Sequence, residues 1–251
     1  MQTGIAACAC GRRYPIRIGI LDFQPPRQGI TPAQWTNHVW LTAWGYERFW
    51  RKRALTALSG EPFPIEREAA LMVALMAPNR EGLYLDLACS TALQARFLAT
   101  YWRSRPTDAR VVALDFAWPM LVEAEALIRR EGLETVDLVC ADAEHLPFLD
   151  GSLAGITCGG SLNEFRSPLP VLREVRRVVR DDSCAAFMSL LKGASLLEQV
   201  LTQHSGIGFY TLDETERLFQ EAGWRVVAKA DWGRVAFAKI RPILDKPSIN
   251  P

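Results

Sequence analysis

The stretch LYLDLACSTALQARFL, at residues 83–98, decides the fold of this chain. Its first five residues are apolar apart from one aspartate, which is typical of a buried strand. In its last residues the apolar side chains recur with the periodicity of a helix. A tight loop of small residues, Ala-Cys-Ser-Thr-Ala, lies between the two. A strand that passes through a short loop into a helix is the repeating unit of parallel α/β sheets, so we expect that fold class here.

The same alternation continues along the chain from about residue 80. The apolar runs RVVALD, VDLVCA, LAGITCG and CAAFMSLL follow, with amphipathic stretches between most of them. Two closing runs, WRVVAKAD and RVAFAKI, meet at Trp232-Gly233, which is typical of an antiparallel hairpin. The pattern predicts an α/β fold with a seven-stranded, mostly parallel sheet, an antiparallel last strand and helices on both faces.

The remaining segments divide the chain into an arm, a helical region and a tail. Residues 1–31 form a loop-rich N-terminal arm that ends in prolines, and residues 32–78 form a helical region. Thr31 is the expected N-cap of its first helix, with Pro32 at the first helical position, and IEREAALMVALM is a second helix. We expect the α/β domain over residues 79–243 and a tail over residues 244–251.

Composition excludes several classes of protein. The chain has 251 residues, 49% of them hydrophobic, and a formal net charge of +1, so no global field attracts nucleic acid or an anionic membrane. It contains no apolar run as long as a membrane span, and its first residues lack the apolar core of a secretion signal. We therefore expect a soluble, cytoplasmic protein.

The cysteines predict neither a disulfide framework nor a metal site. Cys140, Cys158 and Cys184 lie in apolar runs and are expected to be buried as small hydrophobic residues. Cys8 and Cys10 lie in a polar segment without a second cysteine pair or a nearby histidine to complete a zinc site.

Carboxylates follow three successive predicted strands. Asp86, Asp115 and Asp142 end them in order, and Gly159 ends the fourth. Ligands of open α/β sheets bind at the carboxyl ends of the strands, and an acid after the second strand suits two vicinal ribose hydroxyls. No G-x-G-x-x-G follows the first strand, so the pyrophosphate of a nicotinamide dinucleotide has no cradle.

Several motifs in register carry a family resemblance. LDLACSTA stands where the family has a strand, an acid and a glycine-rich loop; LDFAWPML is similar to D-x-S-x-x-M-L, and ADAEHLPFLDGSL to G-D-A-E-x-L-P-F-x-D-x-S-F. Residues 80–241 thus resemble class I S-adenosylmethionine-dependent methyltransferases, in the branch that includes ubiquinone and menaquinone biosynthesis enzymes and related plant and cyanobacterial proteins. The resemblance implies a Rossmann-like fold, S-adenosylmethionine as cofactor, and a lid formed by the N-terminal helical region.

The resemblance also assigns cofactor-binding roles to individual positions. The first acid, the backbone of the loop and the end of the fourth strand would bind the methionine half of the cofactor. The ribose hydroxyls and the adenine ring would lie at the second strand end, and the adenine edge at the third. In chain order these positions are Asp86, Ala88, Cys89, Ser90, Asp115, Phe116, Asp142, Ala143 and Gly159.

The loop departs from the family at its glycines, which are replaced by Ala88, Ser90 and Ala92. Of the three, Ser90 is expected to matter most, because the middle glycine lets the backbone approach a ligand. At Ala88 and Ala92 the change is expected to be mild, affecting mainly packing at Ala92.

No catalytic residue stands out. His38, in the helical region, and His204, after the fifth predicted strand, are candidates for a general base, and no cluster of His, Asp or Glu suggests a catalytic metal. The aromatic residues of the helical region would either pack on the core or form an apolar cover over a hydrophobic acceptor. They are Trp35, Trp40, Trp44, Tyr46, Phe49 and Trp50.

Three functions remain open at this point. The first is methyl transfer from S-adenosylmethionine to a small, apolar aromatic or prenylated acceptor. The second is a non-catalytic binding or assembly module of the same fold, which would have a protein partner. The third is an RNA methyltransferase, because the arm resembles half of a zinc ribbon; the near-neutral charge argues against nucleic acid. A peripheral membrane contact through basic residues is compatible with each.

Overall fold

The computed structural model describes residues 3–23, 30–78, 81–104, 108–193 and 206–244. One sheet runs through these residues. Its strands are β1 Gly4–Ala7, β2 Arg13–Arg17, β3 Ile20–Asp22, β4 Leu83–Leu87, β5 Arg110–Asp115, β6 Val136–Cys140, β7 Leu153–Gly159, β8 Ala185–Leu190, β9 Trp224–Trp232 and β10 Val235–Pro242. The helices are α1 Pro32–Thr36, α2 Trp40–Gly45, a π-helical segment Tyr46–Trp50, α3 Arg51–Ser59, α4 Ile65–Met76, α5 Leu93–Arg103, α6 Trp118–Glu131, α7 Pro168–Val178 and α8 Leu212–Glu221.

The predicted fold class is confirmed. Strands β4 to β10 are arranged in the order β6-β5-β4-β7-β8-β10-β9. The pairs among β6, β5, β4, β7 and β8 are parallel, and β10 is antiparallel to both β8 and β9. The strand order reverses between β4 and β7, so their carboxyl ends mark the crevice where open α/β sheets bind ligands.

The N-terminal arm differs from its prediction, because it is not loop-rich but adds strands β1, β2 and β3 to the sheet beyond β6. The described sheet therefore has ten strands rather than seven. Ile18 and Gly19 have φ of 50° and 83°, as in a tight hairpin turn between β2 and β3. β3 pairs in parallel with β6, which lies more than a hundred residues away, and Ile20 is fully buried. These short strands are stabilised by pairing along an edge of the sheet, and no local sequence pattern predicts that pairing.

Helices cover both faces of the sheet, as predicted. α4, α5 and α6 pack on one face, burying Met72, Leu98 and Ala124, whereas Val171 of α7 and Phe219 of α8 are buried on the other. α4 contacts β7, β8 and β10, so it belongs to the α/β layers rather than to the helical cover expected over residues 32–78. Its apolar stripe decides this, because Ala69, Met72 and Met76 on one side of the helix are buried.

Residues 32–59 form the helical cover itself. Thr31 caps α1 through a capping box with Gln34, and Pro32 is the first helical residue, both as expected. α2 ends at Gly45, and the chain continues through the π-helical segment into α3. Cys140, Cys158 and Cys184 are buried, as predicted. Within the described residues, no helix is both long enough and apolar enough to cross a membrane.

Candidate functional site

A cavity of about 600 Å³ lies at the carboxyl ends of β4, β5 and β6. This volume is within the range of small-molecule sites, which is ~300–1,000 Å³. Of the predicted cofactor positions, the structure brings six to its wall: Ala88, Ser90, Asp115, Phe116, Asp142 and Ala143. The helical cover closes the opposite side through Gln34, Asn37 and Tyr46.

The loop after β4 has the left-handed backbone conformation that glycine favours, although it contains no glycine. Ala88, Ser90 and Ala92 have φ of 50°, 52° and 59°, in the left-handed region that side chains disfavour. The expectation that alanine is a mild change at two of these positions is therefore wrong, because all three carry the same backbone demand. The loop has the conformation that glycines would adopt, and only its side chains differ.

Asp115 ties this loop to α6. Its Oδ2 accepts a hydrogen bond from the Ser90 backbone N–H at 2.8 Å, and its Oδ1 accepts one from the Ala117 backbone N–H at 2.8 Å. Burial raises the pKa of Asp115, although the backbone donors oppose the shift. A carboxylate has about four acceptor sites, so Asp115 can still accept a hydrogen bond from a hydroxyl in the cavity beside its backbone donors.

Asp86 does not line this cavity. Its Oδ2 accepts a hydrogen bond from the Ala95 backbone N–H at 2.9 Å, in the first turn of α5, and Thr157 Oγ1 lies 3.3 Å from Oδ1. Asp86 thus supplies the capping acceptor that Ala92, the N-cap residue of α5, lacks. Desolvation raises its pKa to about 7. The structure places Asp86 beneath the loop, in a small crevice shared with Gly159.

The third strand end supplies the far wall of the cavity. Asp142 Oδ1 accepts a hydrogen bond from the Glu144 backbone N–H at 2.9 Å, and His145 Nδ1 lies 3.5 Å from Asp142 Oδ2. This turn leaves Ala143 and Glu144 on the cavity wall with Asp142. His145 is exposed at the rim of the cavity.

At the fourth strand end, an arginine contacts the predicted position. Arg51 Nη2 donates a hydrogen bond to the Gly159 carbonyl oxygen at 2.8 Å, and Nη1 donates one to Tyr46 Oη at 2.9 Å. The same guanidinium pairs with Glu68, which is fully buried, with Nε to Oε2 at 2.8 Å. A side chain at Gly159 would lie 3.0 Å from Arg51. The sequence did not reveal Arg51, because nothing local distinguishes it within the run Arg-Lys-Arg.

Glu164 is a second residue that the sequence analysis missed. It follows the short helical turn after β7 and lines the cavity. Asn37 Nδ2 donates to its Oε2 at 3.2 Å, and Gln34 Nε2 donates to its backbone carbonyl at 3.0 Å, so α1 holds it in place. Burial, and next the charge of Asp115, raise the pKa of Glu164 to about 7. A carboxylate that titrates near neutral pH beside a cavity suits general-base chemistry.

The histidine candidates lie elsewhere. His38 packs edge-on against Phe116, with ring centroids 5.1 Å apart, and is not on the cavity wall. His204 lies outside the described residues. Among the residues that the structure describes, no group of three or more His, Cys, Asp or Glu residues could hold a metal ion.

The charges around the cavity fit a cationic ligand that carries a ribose and a base. Asp115, Asp142, Glu144 and Glu164 line it, and among the described residues one arginine, Arg166, lies on the same wall. A sulfonium nucleoside such as S-adenosylmethionine offers a positive charge to these carboxylates, vicinal hydroxyls to Asp115 and an aromatic base to Phe116. These residues therefore fit the cofactor that the resemblance implies.

Sequence comparison gives methyltransferases. Residues 85–187 match the family described as the methyltransferase domain. An uncharacterised chloroplastic methyltransferase of Arabidopsis thaliana is 30% identical over 191 residues, which are 70% of this chain and 51% of that protein. A demethylmenaquinone methyltransferase of Bacillus velezensis is 27% identical over 164 residues, covering 55% of this chain and 69% of that enzyme. The chain thus spans about half the length of the plant relative.

Solved structures with the same fold include the [4+2]-cyclase SpnF. It superposes with a TM-score of 0.64 at 15% identity, covering 88% of this chain and 98% of that chain. This likeness establishes the fold alone, and the reaction has to be argued from the residues of the site.

Proposed function

We propose that this chain, whose residues 85–187 match the methyltransferase domain family, transfers a methyl group from S-adenosylmethionine to a small, apolar aromatic or prenylated acceptor. The observation that carries this proposal is one cavity that joins Asp115, Phe116 and Asp142 to Glu164. It therefore offers both a nucleoside-binding wall and an ionisable group for the acceptor.

The nucleoside end of the cofactor belongs at the second and third strand ends. Asp115 would accept from the ribose hydroxyls, Phe116 would pack on the adenine ring, and Asp142 would accept from the adenine amino group. When bound, S-adenosylmethionine supplies an electrophilic methyl group on a sulfonium. The chain's own contribution is to hold donor and acceptor in line and to exclude water, which can supply much of the acceleration.

Glu164 is the proposed general base. Its carboxylate lies on the cavity wall, and within the described residues no side chain donates to its Oε1, which leaves that oxygen for a proton on the acceptor. A phenol or an acidic carbon is a weak nucleophile until it loses its proton, so such an acceptor needs this group. Leu114, Phe165 and Val171 give the cavity apolar wall that an aromatic acceptor would contact. The similarity to a demethylmenaquinone methyltransferase supports an acceptor of this kind.

Calorimetric titration with S-adenosylmethionine and with S-adenosylhomocysteine tests the cofactor half of the proposal. We expect the native chain to bind both, and Asp115→Ala to lose that binding while Asp137→Ala, an exposed carboxylate on β6, retains it. Absence of binding in the native chain, or equal binding by Asp115→Ala, would overturn the proposal.

One observation favours the second candidate, a binding module without catalysis. The Gly159 carbonyl, which the resemblance assigns to the methionine end of the cofactor, already accepts a hydrogen bond from Arg51. If the native chain binds neither ligand and Arg51→Lys does not restore binding, this second function becomes the better explanation.

A further inference from the structure

The outward side of the helical cover presents large apolar side chains to solvent. Trp40, Leu41, Trp44 and Phe49 are 59%, 74%, 49% and 51% exposed. The rings of Trp44 and Phe49 lie 5.8 Å apart, and Trp40 and Leu41 lie about one turn before Trp44 on α2. With the exposed Lys52 and Arg53 of the next turn, these residues form what is called here the outer face.

The inward side of the same segment is fully used by the fold. Ala43, Arg51 and Leu55 are buried, and Tyr46 lines the cavity. Glu47, the one acidic residue between positions 40 and 57, pairs with Arg96 and accepts a hydrogen bond from Thr91 Oγ1 at 2.9 Å. Lys52 lines a small crevice with Glu47 and Glu123, whereas Arg53 is exposed and pairs with no carboxylate among the described residues. Arg53 therefore supplies the outer face with a positive charge that its own segment does not neutralise.

This arrangement matches the chemistry of a lipid interface. Amphipathic helical segments that lie in a membrane surface carry Trp, Phe and Leu toward the acyl boundary and Lys or Arg toward anionic headgroups. Tryptophan suits that boundary because its ring is apolar while its N–H is polar. An exposed apolar patch with a basic border on an otherwise near-neutral chain points to a partner that is both apolar and anionic.

We propose that the outer face seats on the surface of an anionic phospholipid bilayer. Its apolar side chains enter the headgroup boundary, and Arg53 contacts lipid phosphates. The proposal goes beyond the proposed function and does not depend on it, because vesicle binding requires neither cofactor nor acceptor. The two are compatible: the segment that faces the bilayer carries Tyr46 on its other side, at the cavity in which an apolar acceptor would bind.

Vesicle sedimentation tests this proposal on the full chain. Two vesicle types are used: phosphatidylcholine alone, and equal parts of phosphatidylcholine and phosphatidylglycerol. Leu41→Ser is the variant, and Leu149→Ser, which is 81% exposed elsewhere, is its matched control. Arg53→Glu is paired with Arg225→Glu, at an exposed position on β9. Folding of every variant is checked by circular dichroism.

The expected result is binding that favours the anionic vesicles and weakens with salt. Leu41→Ser should lower the partition constant about tenfold, since it removes one buried aliphatic side chain from the interface. Arg53→Glu should abolish the preference for anionic lipid, and both controls should bind as the native chain does.

Three results would overturn the proposal. The first is no sedimentation with anionic vesicles, and the second is an equal loss in Leu41→Ser and Leu149→Ser. The third is a native chain that does not bind vesicles but self-associates or binds a single-stranded RNA oligonucleotide, with that association lost in Leu41→Ser. The outer face would then be a protein or nucleic-acid contact.

Discussion

The Ser90 backbone N–H donates a 2.8 Å hydrogen bond to Asp115 Oδ2, so the acid at the end of β5 holds the strained residue of the preceding loop. Ser90 has φ of 52°, a conformation that normally requires glycine. The hydrogen bond explains how a loop without glycine keeps the shape of a cofactor cradle. Under the proposed function, the carboxylate that stabilises the loop would also bind the cofactor.

Glycine at the left-handed positions should stabilise the protein. Ala88→Gly and Ser90→Gly each relieve backbone strain of ~1–2 kcal/mol and add a chain-entropy cost of ~0.5–1 kcal/mol. We expect the free energy of unfolding to rise by about 0.5–1 kcal/mol for each, measured by urea titration. Ala57→Gly, at an exposed position of α3, is the control and should lower it by about 1 kcal/mol. Destabilisation by both loop variants would show that the strain is not real.

Glu164→Gln should stop turnover without stopping cofactor binding. A base must be deprotonated to act, and burial raises the pKa of Glu164 to about 7, so kcat of the native enzyme should rise with pH through that region. The glutamine variant should bind S-adenosylhomocysteine normally and show no such rise. Glu144→Gln, on the same cavity wall, is the control. A pH profile that is the same in Glu164→Gln and the native enzyme would rule out the assigned role.

Asp86 should make the fold less stable as the pH rises. Desolvation raises its pKa from 3.8 to about 7, so the folded state holds the proton more tightly than the unfolded chain does. The resulting stability is present at acid pH and is lost as the pH rises through about 7. In the native chain this group should lower the free energy of unfolding by about 3 kcal/mol between pH ~5 and ~8, and in Asp86→Asn that loss should disappear. Urea midpoints across that interval measure it, with the exposed Asp137→Asn as control; equal slopes in both variants would refute the assignment.

Arg51 and Glu68 should be strongly coupled. Arg51→Met leaves the buried Glu68 without its ion-pair partner and should cost about 3–5 kcal/mol. The double variant Arg51→Met, Glu68→Met removes both charges and should recover much of that loss. Arg110→Met breaks a half-exposed pair with Asp137 and should cost no more than about 1 kcal/mol. A double-mutant cycle on unfolding free energies gives the coupling, and additive single effects would contradict it.

The N-terminal strands should be part of the cooperative fold. Ile20→Ala empties a fully buried position between β3 and the sheet and should cost about 2–5 kcal/mol. Ile5→Ala on β1, where the side chain is 64% exposed, should change stability by less than about 0.5 kcal/mol. Thermal unfolding compares the two variants. If Ile20→Ala changes the stability as little as Ile5→Ala does, the arm is not part of the cooperative fold.

Consecutive residues alone determined the α/β class of this protein, strands β4 to β10, the N-cap at Thr31 and the placing of Asp115 and Asp142 at strand ends. Each of these depends on periodicity or on turn chemistry that is read within a few residues. The parallel direction of most strands also follows from the sequence, because strands that alternate with helices allow few topologies.

Tertiary structure alone decided the rest. It paired the N-terminal strands β1, β2 and β3 with a distant sheet edge. It also buried Arg51 while leaving Arg53 exposed, and it directed Asp86 to α5 rather than to the cavity. It also placed Glu164 on the cavity wall, where burial shifts its pKa. Such outcomes depend on which groups lose water when distant elements pack together, and that desolvation is a property of the assembled fold that no local pattern contains.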